Sequence, residues 1–223
     1  MERTLLSGRI KIKSWSGKKE FAQAVCQEKG QVELLLPPGA EVHSWRPWPT
    51  DIVRLAKADL FIYIGADLEP WIHDFLKGIN NPKLKTLEVS RNLSLEAGKQ
   101  TSLSQIEEYH KLYPNIWLDF QVDQMIIKKI ALSLSEIDPH NSLFYNKNSE
   151  LYQECLQKLD EGFRDTLQDC AQRIFILGGH SAFGHLAYRY KRLIYHGTHG
   201  EFCQSQAFKD MLAAGNHIIS HPH

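Results

Sequence analysis

Two histidines stand where a side chain could bind a metal ion. His43 follows the sequence LLLPPGAEV, in which an apolar run ends at Pro37 and Pro38 and Gly39 supplies a turn. Because proline fixes its own φ and biases the preceding residue toward extended conformations, the strand must stop there and the loop has few alternative shapes. A histidine held at the end of a strand is a candidate metal ligand or catalytic base.

His180 repeats this placement in the second half of the chain. It follows the β-rich run RIFIL and a Gly-Gly turn, and it precedes residues 181–190, which we predict to be helical. Open α/β sheets collect their ligands at the carboxyl ends of strands. Neutral imidazole suits zinc and other late divalent metals, and a typical site has four ligands from His and carboxylate side chains. The two histidines therefore predict a metal site in a cleft between two α/β halves.

The elements before the second histidine alternate between helix and strand. Arg9 to Lys13 alternates apolar and basic residues and could be an edge strand, whereas the continuous run LFIYI is typical of a parallel sheet covered on both faces. Thr50 is placed to cap a helix. The pattern predicts helices over 19–28, 50–58 and from 69–71 to 78, and strands over 31–36, 60–64 and 85–89.

A long helix separates the two halves. After a polar loop over 90–108, we predict a helix over 122–135 that Asp138-Pro139 ends. From Asn141, apolar residues recur at three- to four-residue steps for about thirty residues. Strands at 173–177, 193–195 and 218–219 and a helix at 207–214 follow. The predicted fold is α/β, with an N-terminal lobe (1–140), a linker helix (141–172) and a C-terminal lobe (173–223), the lobes having parallel-type sheets.

Composition limits the classes of function. Among 223 residues, Lys plus Arg and Asp plus Glu number 26 each, so no net charge attracts the chain to polyanions. The four cysteines form no CxxC pair and have no zinc-finger spacing. We expect no export signal in the N-terminal residues and no membrane span, because no apolar run is long enough for either.

The motifs together resemble the solute-binding proteins of zinc and manganese ABC transporters, a family of periplasmic metal-binding lipoproteins. The resemblance rests on LLPPGAEVHSW, DIVRLAKADLFIYIGADLEPW, PNIWLD, SEIDPHNSLFYNKNSELYQECLQKLD and GGHSAFGHLAYRY, which stand in the family's order. It implies two lobes, joined by one long helix, that clamp one cation in the cleft and deliver it to a membrane permease without enzymatic chemistry. It also implies a periplasmic or extracytoplasmic location, and we expect a monomer.

The resemblance implies a ligand set as well. His43, in the PPGA loop, takes the first ligand position, and His180, before the AFG motif, takes the third. Asn115 stands where the family has a histidine, and its amide oxygen is a weaker ligand for zinc than imidazole. The fourth ligand of the family is an acidic residue or a histidine late in the second lobe, in a segment that is not recognisable after Tyr190, so the second lobe looks incomplete.

Other side chains are candidates to complete the site. His110 lies at the end of the polar loop, and His196 or His199, with Glu201 as a weaker candidate, follow a predicted strand of the second lobe. We expect His185, one helical turn into the predicted helix, to pack on the surface of that lobe.

Three functions stay open. The first is binding of zinc, with manganese as the second metal, for delivery to an ABC permease. The second is a shortened family member with weak or lost metal binding, because Asn115 replaces a ligand and residues 1–17 have no counterpart of the family's lipoprotein signal or first strand. A metal-dependent hydrolase is more remote, because no HExxH or paired-carboxylate motif supplies a general base. We therefore expect a binding protein and not an enzyme.

Overall fold

The computed structural model describes residues 9–14, 19–37, 40, 45–65, 68–93, 115–171, 174–178, 183–191 and 193–197. Its strands in these ranges are β1 (Ile10–Ser14), β2 (Gly30–Leu34), β3 (Leu60–Tyr63), β4 (Lys85–Glu88), β5 (Ile174–Gly178) and β6 (Leu193–Gly197). The α-helices are α1 (Lys19–Cys26), α2 (Pro49–Leu55), α3 (Ile72–Lys77), α4 (Phe120–Ile137), α5 (Ser142–Gln168) and α6 (Gly184–Arg189). Short 3-10 turns cover Gln27–Lys29, Ile116–Leu118 and Pro139–Asn141.

The first four strands form one parallel sheet with the order β2-β1-β3-β4. β1 therefore lies inside the sheet, so the predicted edge strand is wrong, and so is the expectation that residues 1–17 contain no first strand. The basic residue that suggested an edge is accommodated because Lys13 forms an ion pair with Glu33 on the neighbouring β2. The sheet register aligns Ile12 with Val32 on one side and with Leu60 on the other.

Two separate apolar clusters cover the two faces of this sheet. Leu60 and Ile62 of β3 belong to the cluster that α1, α4 and α5 complete, while Phe61 and Tyr63 belong to the cluster of α2 and α3. All four residues of β3 are buried. The prediction of a parallel sheet covered on both faces is confirmed.

The strand order creates a crevice at the carboxyl edge of the sheet. From β1 the chain passes through α1 to β2 on one side, and it then crosses through α2 to β3 on the other side of β1. At such a reversal the connections leave in opposite directions, and ligands of open α/β sheets bind there. The loop that contains His43 leaves β2 at this edge.

The long helix is present. α5 has 27 residues and follows the break at Asp138-Pro139, where the Tyr145 hydroxyl donates a hydrogen bond to the Asp138 carboxylate (2.8 Å). α4 begins two residues earlier than predicted because Asp119 caps it, accepting a hydrogen bond from the Gln121 amide (2.9 Å). Sequence periodicity alone does not locate such a cap.

β5 and β6 pair in parallel with α6 between them in sequence. The α/β fold class, with parallel sheets and a long helix, is confirmed. The predicted helix at 207–214 and the strand at 218–219 lie outside the described residues. Within the part of the chain that the structure describes, no helix combines the length and apolar character needed to cross a bilayer.

Candidate metal site

The entrance of the PPGA loop is attached to the sheet. The Leu35 amide donates a hydrogen bond to the Ser14 carbonyl of β1 (2.9 Å), and the Leu35 side chain is buried in the cluster of α2 and α3. The Ala40 amide then donates to the Pro37 carbonyl (3.1 Å), which closes a turn. β2 therefore ends before Pro37 and the chain then turns, as predicted from the two prolines.

The exit of the loop is anchored by aromatic packing. Trp45 contacts Trp71 edge to face, with ring centroids 5.7 Å apart, and Trp71 contacts Phe75 in the same way at 5.3 Å. Both tryptophans pack against the apolar cluster that contains Leu35. His43 lies two residues before Trp45 in the sequence, so the loop has a fixed point on each side of it.

Thr50 is not the cap of the helix after the loop. α2 begins at Pro49, and the Asp51 carboxylate accepts a hydrogen bond from the Trp48 amide (2.9 Å). Proline fits the first helical position because its missing N–H needs no partner there. The helix start is therefore one residue earlier than predicted, and an acidic residue in its first turn satisfies the backbone.

Asn115 starts a turn that is fixed in the core. Its carbonyl accepts a hydrogen bond from the Leu118 amide (3.2 Å), and the next residue, Ile116, is fully buried. The half-buried Asn115 side chain makes no capping hydrogen bond to this turn. Asn115 therefore does not cap this turn with its side chain, which suits a ligand role although amide oxygen is a poor donor for zinc.

A buried carboxylate holds the carboxyl end of β3. Glu69 accepts hydrogen bonds from the amides of Ile64 (3.0 Å) and Gly65 (2.8 Å), and burial raises its pKa to about 7. Gly65 has a φ of 81°, and a Cβ there would lie 2.4 Å from the Glu88 carboxylate. Gly65 and Glu69 belong to the segment DIVRLAKADLFIYIGADLEPW on which the family resemblance rests, but sequence reasoning did not identify this structural role of the two residues.

The raised pKa of Glu69 makes stability depend on pH. Because the folded state binds the proton more tightly than the unfolded state, this group's contribution to the free energy of unfolding should fall as pH rises from about 4.5 to about 7. We expect the difference between wild type and Glu69→Gln to change by on the order of 2 kcal/mol over this range. Urea unfolding at several pH values measures it, and a difference that stays constant with pH would contradict the assignment.

His180 precedes α6 in the sequence, and several residues of this helix are buried. α6 contacts the 116–118 turn of the first lobe, and His185 in its first half is fully buried. The expectation that His185 packs on the surface is wrong, because its side chain is fully buried in a helix that contacts the 116–118 turn.

A network of charges joins this helix to the rest of the protein. The fully buried Asp160 carboxylate of α5 accepts hydrogen bonds from Arg164 (3.0 Å), from Nε of Arg189 (3.1 Å) and from the Tyr190 hydroxyl (2.8 Å). Burial alone would raise the pKa of Asp160, but these donors outweigh it and hold the pKa below its usual value. Arg189 Nε also lies 3.7 Å from the carboxylate of Asp119. Sequence reasoning did not identify this network.

The structure thus places the backbone of two candidate ligand positions, Asn115 before the 116–118 turn and His196 within β6, opposite Leu177 of β5. His196 was expected to follow the strand, and it lies inside it instead. The other candidate ligands lie outside the described residues, namely His43, His110, His180, His199 and Glu201. Among the described residues, no three His, Cys, Asp or Glu side chains are grouped so that they could hold a metal ion. The ligand set therefore stays a prediction.

Comparison with known proteins gives a consistent family. The family model ZnuA, described as zinc-uptake complex component A, periplasmic, matches residues 14–198. The high-affinity zinc uptake system protein ZnuA of Bacillus subtilis is 32% identical over 176 residues, covering 77% of this chain and 55% of the relative. The zinc-binding protein AdcA of Streptococcus pyogenes is 26% identical over 204 residues, covering 85% and 39%. The chain thus spans about half the length of the curated relatives it matches, or less.

Solved structures agree. The metal-dependent lipoprotein YcdH of Bacillus subtilis superimposes with a TM-score of 0.73 at 29% identity, covering 84% of this chain and 67% of that one. The Zn(II)-bound ZnuA-like domain of Streptococcus pneumoniae AdcA has a TM-score of 0.74 at 23% identity, covering 93% and 84%, which supports the fold alone. The relatives' names describe zinc binding and zinc uptake, not enzymes, as expected from the sequence.

Proposed function

Because the chain belongs to the ZnuA family of periplasmic zinc-uptake complex components, we propose that it binds one zinc ion and delivers it to an ABC permease. The observation that carries the proposal is the family match over residues 14–198, which includes the PPGA loop, the Asn115 turn and His180. The zinc system names of the relatives support zinc over manganese. The location that we propose is extracytoplasmic, and the proposed state is a monomer.

The proposed site lies between an N-terminal lobe (1–140) and a C-terminal lobe (173–223), joined by a linker (141–172) that contains α5. His43 and His180 supply imidazole nitrogen from the two lobes, and Asn115 or a substitute, His110 or His199, completes the set. Support comes from the fixed points around His43 and from the core-anchored turn at Asn115. Imidazole is a borderline donor, so the set favours zinc over magnesium, which prefers oxygen.

Calorimetry on metal-stripped protein tests this function. We expect one tight zinc site and no heat with magnesium at the same concentration, because imidazole donors do not suit a hard cation. Absence of zinc heat, or equal heats for the two metals, would contradict the proposal.

A second candidate is a family member in which zinc binding is weak or lost. Asn115 favours it, because an amide oxygen replaces an imidazole and the side chain is half-buried at a rigid turn. The dissociation constant decides between the two candidates, since a weak site would require zinc concentrations far above those of an uptake protein.

The same residue provides a gain-of-function prediction. Asn115→His should tighten zinc binding by at least about tenfold, which is about 1.4 kcal/mol, because it restores a better donor. The matched control is Lys128→His, which adds an imidazole on the exposed face of α4. Competition with a zinc-chelating dye measures both, and equal affinity in wild type and Asn115→His would mean that residue 115 does not face the metal.

A further inference from the structure

Arg189 joins three parts of the chain that are distant in sequence. It is the last residue of α6, and its side chain is 12% exposed. Its guanidinium donates to Asp160 on the long helix α5 and to Gln121 in the first turn of α4, and it lies beside Asp119. One planar group therefore contacts the second lobe's helix, the linker and the first lobe.

The contact is specific to Arg189. Arg164 also donates to Asp160, but it lies four residues further along the same helix and is 57% exposed, so it connects α5 only with itself. Arginine suits the bridging position because its five N–H donors form a rigid fork that can reach several acceptors at once. Lysine, with a single ammonium group, cannot reproduce that geometry.

Aromatic packing joins the same three segments. Phe163 of α5 contacts Phe120 of α4 edge to face (5.2 Å between centroids) and stacks on Tyr190, the residue after Arg189 (5.7 Å). Asp160 and Phe163 lie about one turn apart on the same face of α5. The polar and apolar contacts therefore fix α6 at the same place, where the linker passes the start of α4.

We propose that Arg189 is a positioning residue that fixes the second lobe against the first and thereby sets the distance between metal ligands from the two lobes. The proposal rests on the proposed function for its metal site. Arg189 is nine residues after His180, and Asp119 is four residues after Asn115. The bridge therefore ties together the two segments that contain the proposed ligands, without contacting the ion.

The first test uses the metal-free protein and needs no zinc binding. In Arg189→Ala, hydrogen exchange should accelerate by at least about tenfold both at Ala187 of α6 and at Tyr190, which follows it, and at Leu118 and Asp119 of the first lobe, because the bridge holds both ends. In Arg164→Ala it should stay as in wild type. Acceleration confined to α6, or none at all, overturns the proposal, since Arg189 would then stabilise only its own helix.

The second test measures zinc dissociation. We expect Arg189→Ala to release zinc about tenfold faster or more, with Arg164→Ala within about twofold of wild type. Arg189→Lys keeps the charge without the fork and should recover only part of the loss. Unchanged zinc release in Arg189→Ala, with exchange accelerated at both ends, would overturn the link to the metal site.

The two tests also separate failure of this proposal from failure of the proposed function. If wild type binds no zinc, the proposed function is wrong, and the exchange measurement still decides whether Arg189 bridges the lobes. Should Arg189→Ala fail to fold, the neutral pair Arg189→Gln with Asp160→Asn is measured in the same way, because it removes the buried Asp160 charge together with its partner while Asp119 keeps its hydrogen bonds from the amides of Gln121 and Val122.

Discussion

Zinc affinity should fall by at least about a thousandfold, about 4 kcal/mol, in the double variant His43→Ala with His180→Ala. The physical reason is that the variant removes both imidazole nitrogens that the proposed set takes from the two lobes, so the one remaining side chain, the Asn115 amide or a single substitute histidine, cannot hold the ion against water. Competition with a zinc-chelating dye at constant pH measures the change.

The chain has eleven histidines in all, so a control must test whether the other histidines bind the zinc ion. His73→Ala with His140→Ala removes two exposed imidazoles of the first lobe and should leave the tight site unchanged. If the two double variants lose the same affinity, zinc binds to scattered surface histidines and the proposed site is wrong.

The second large effect is on stability. Phe61→Ala should lower the free energy of unfolding by about 3–5 kcal/mol, the usual loss for a buried phenylalanine. Phe61 is fully buried on β3, stacks on Tyr63 with centroids 5.6 Å apart, and belongs to the cluster that also anchors Leu35 and Trp45. Urea unfolding followed by circular dichroism measures the loss.

Leu143→Ala is the matched control on the surface. Leu143 is 87% exposed at the start of α5, so its removal should change the free energy of unfolding by no more than about 0.5 kcal/mol. A loss below about 1 kcal/mol in Phe61→Ala would mean that this face of the sheet is not packed as described.

The fold was largely predictable because its signals are local. The run LFIYI is apolar throughout, which indicates a strand covered on both faces, and the prolines after β2 end that strand without help from distant residues. The position of β1 was not predictable. An alternating basic strand resembles an edge, and only its partner across the sheet, Glu33, accounts for the burial of Lys13.

The candidate site also has residues that could be predicted from the sequence and residues that could not. The proposed ligands could be named from motifs, because the histidines follow strand ends and the resemblance orders them. Asp160 and Arg189 could not be found, since Asp160 lies four residues before Arg164 and so resembles half of a solvated surface pair on a helix, while Arg189 is 29 residues away in the sequence. Their burial depends on how α6 meets α4 and α5, which is a property of the tertiary structure. Glu69 lies in a motif that the sequence shows, but its hydrogen bonds from the amides of Ile64 and Gly65 could not be predicted.

The cap of α4 could have been found. Asp119 immediately precedes an apolar periodic segment, which is a recognised helix start, and the structure places it at that position. Its second contact, with Arg189, could not be read from the sequence because the two residues belong to different helical segments that lie far apart in the chain.

The most direct test of the central claim is a crystal structure of the zinc-loaded protein with anomalous data at the zinc edge. We predict one strong peak, with ring nitrogens of His43 and His180 at about 2.0–2.1 Å from the metal. A fully occupied zinc ion bound elsewhere, with both histidines away from it, would contradict the account.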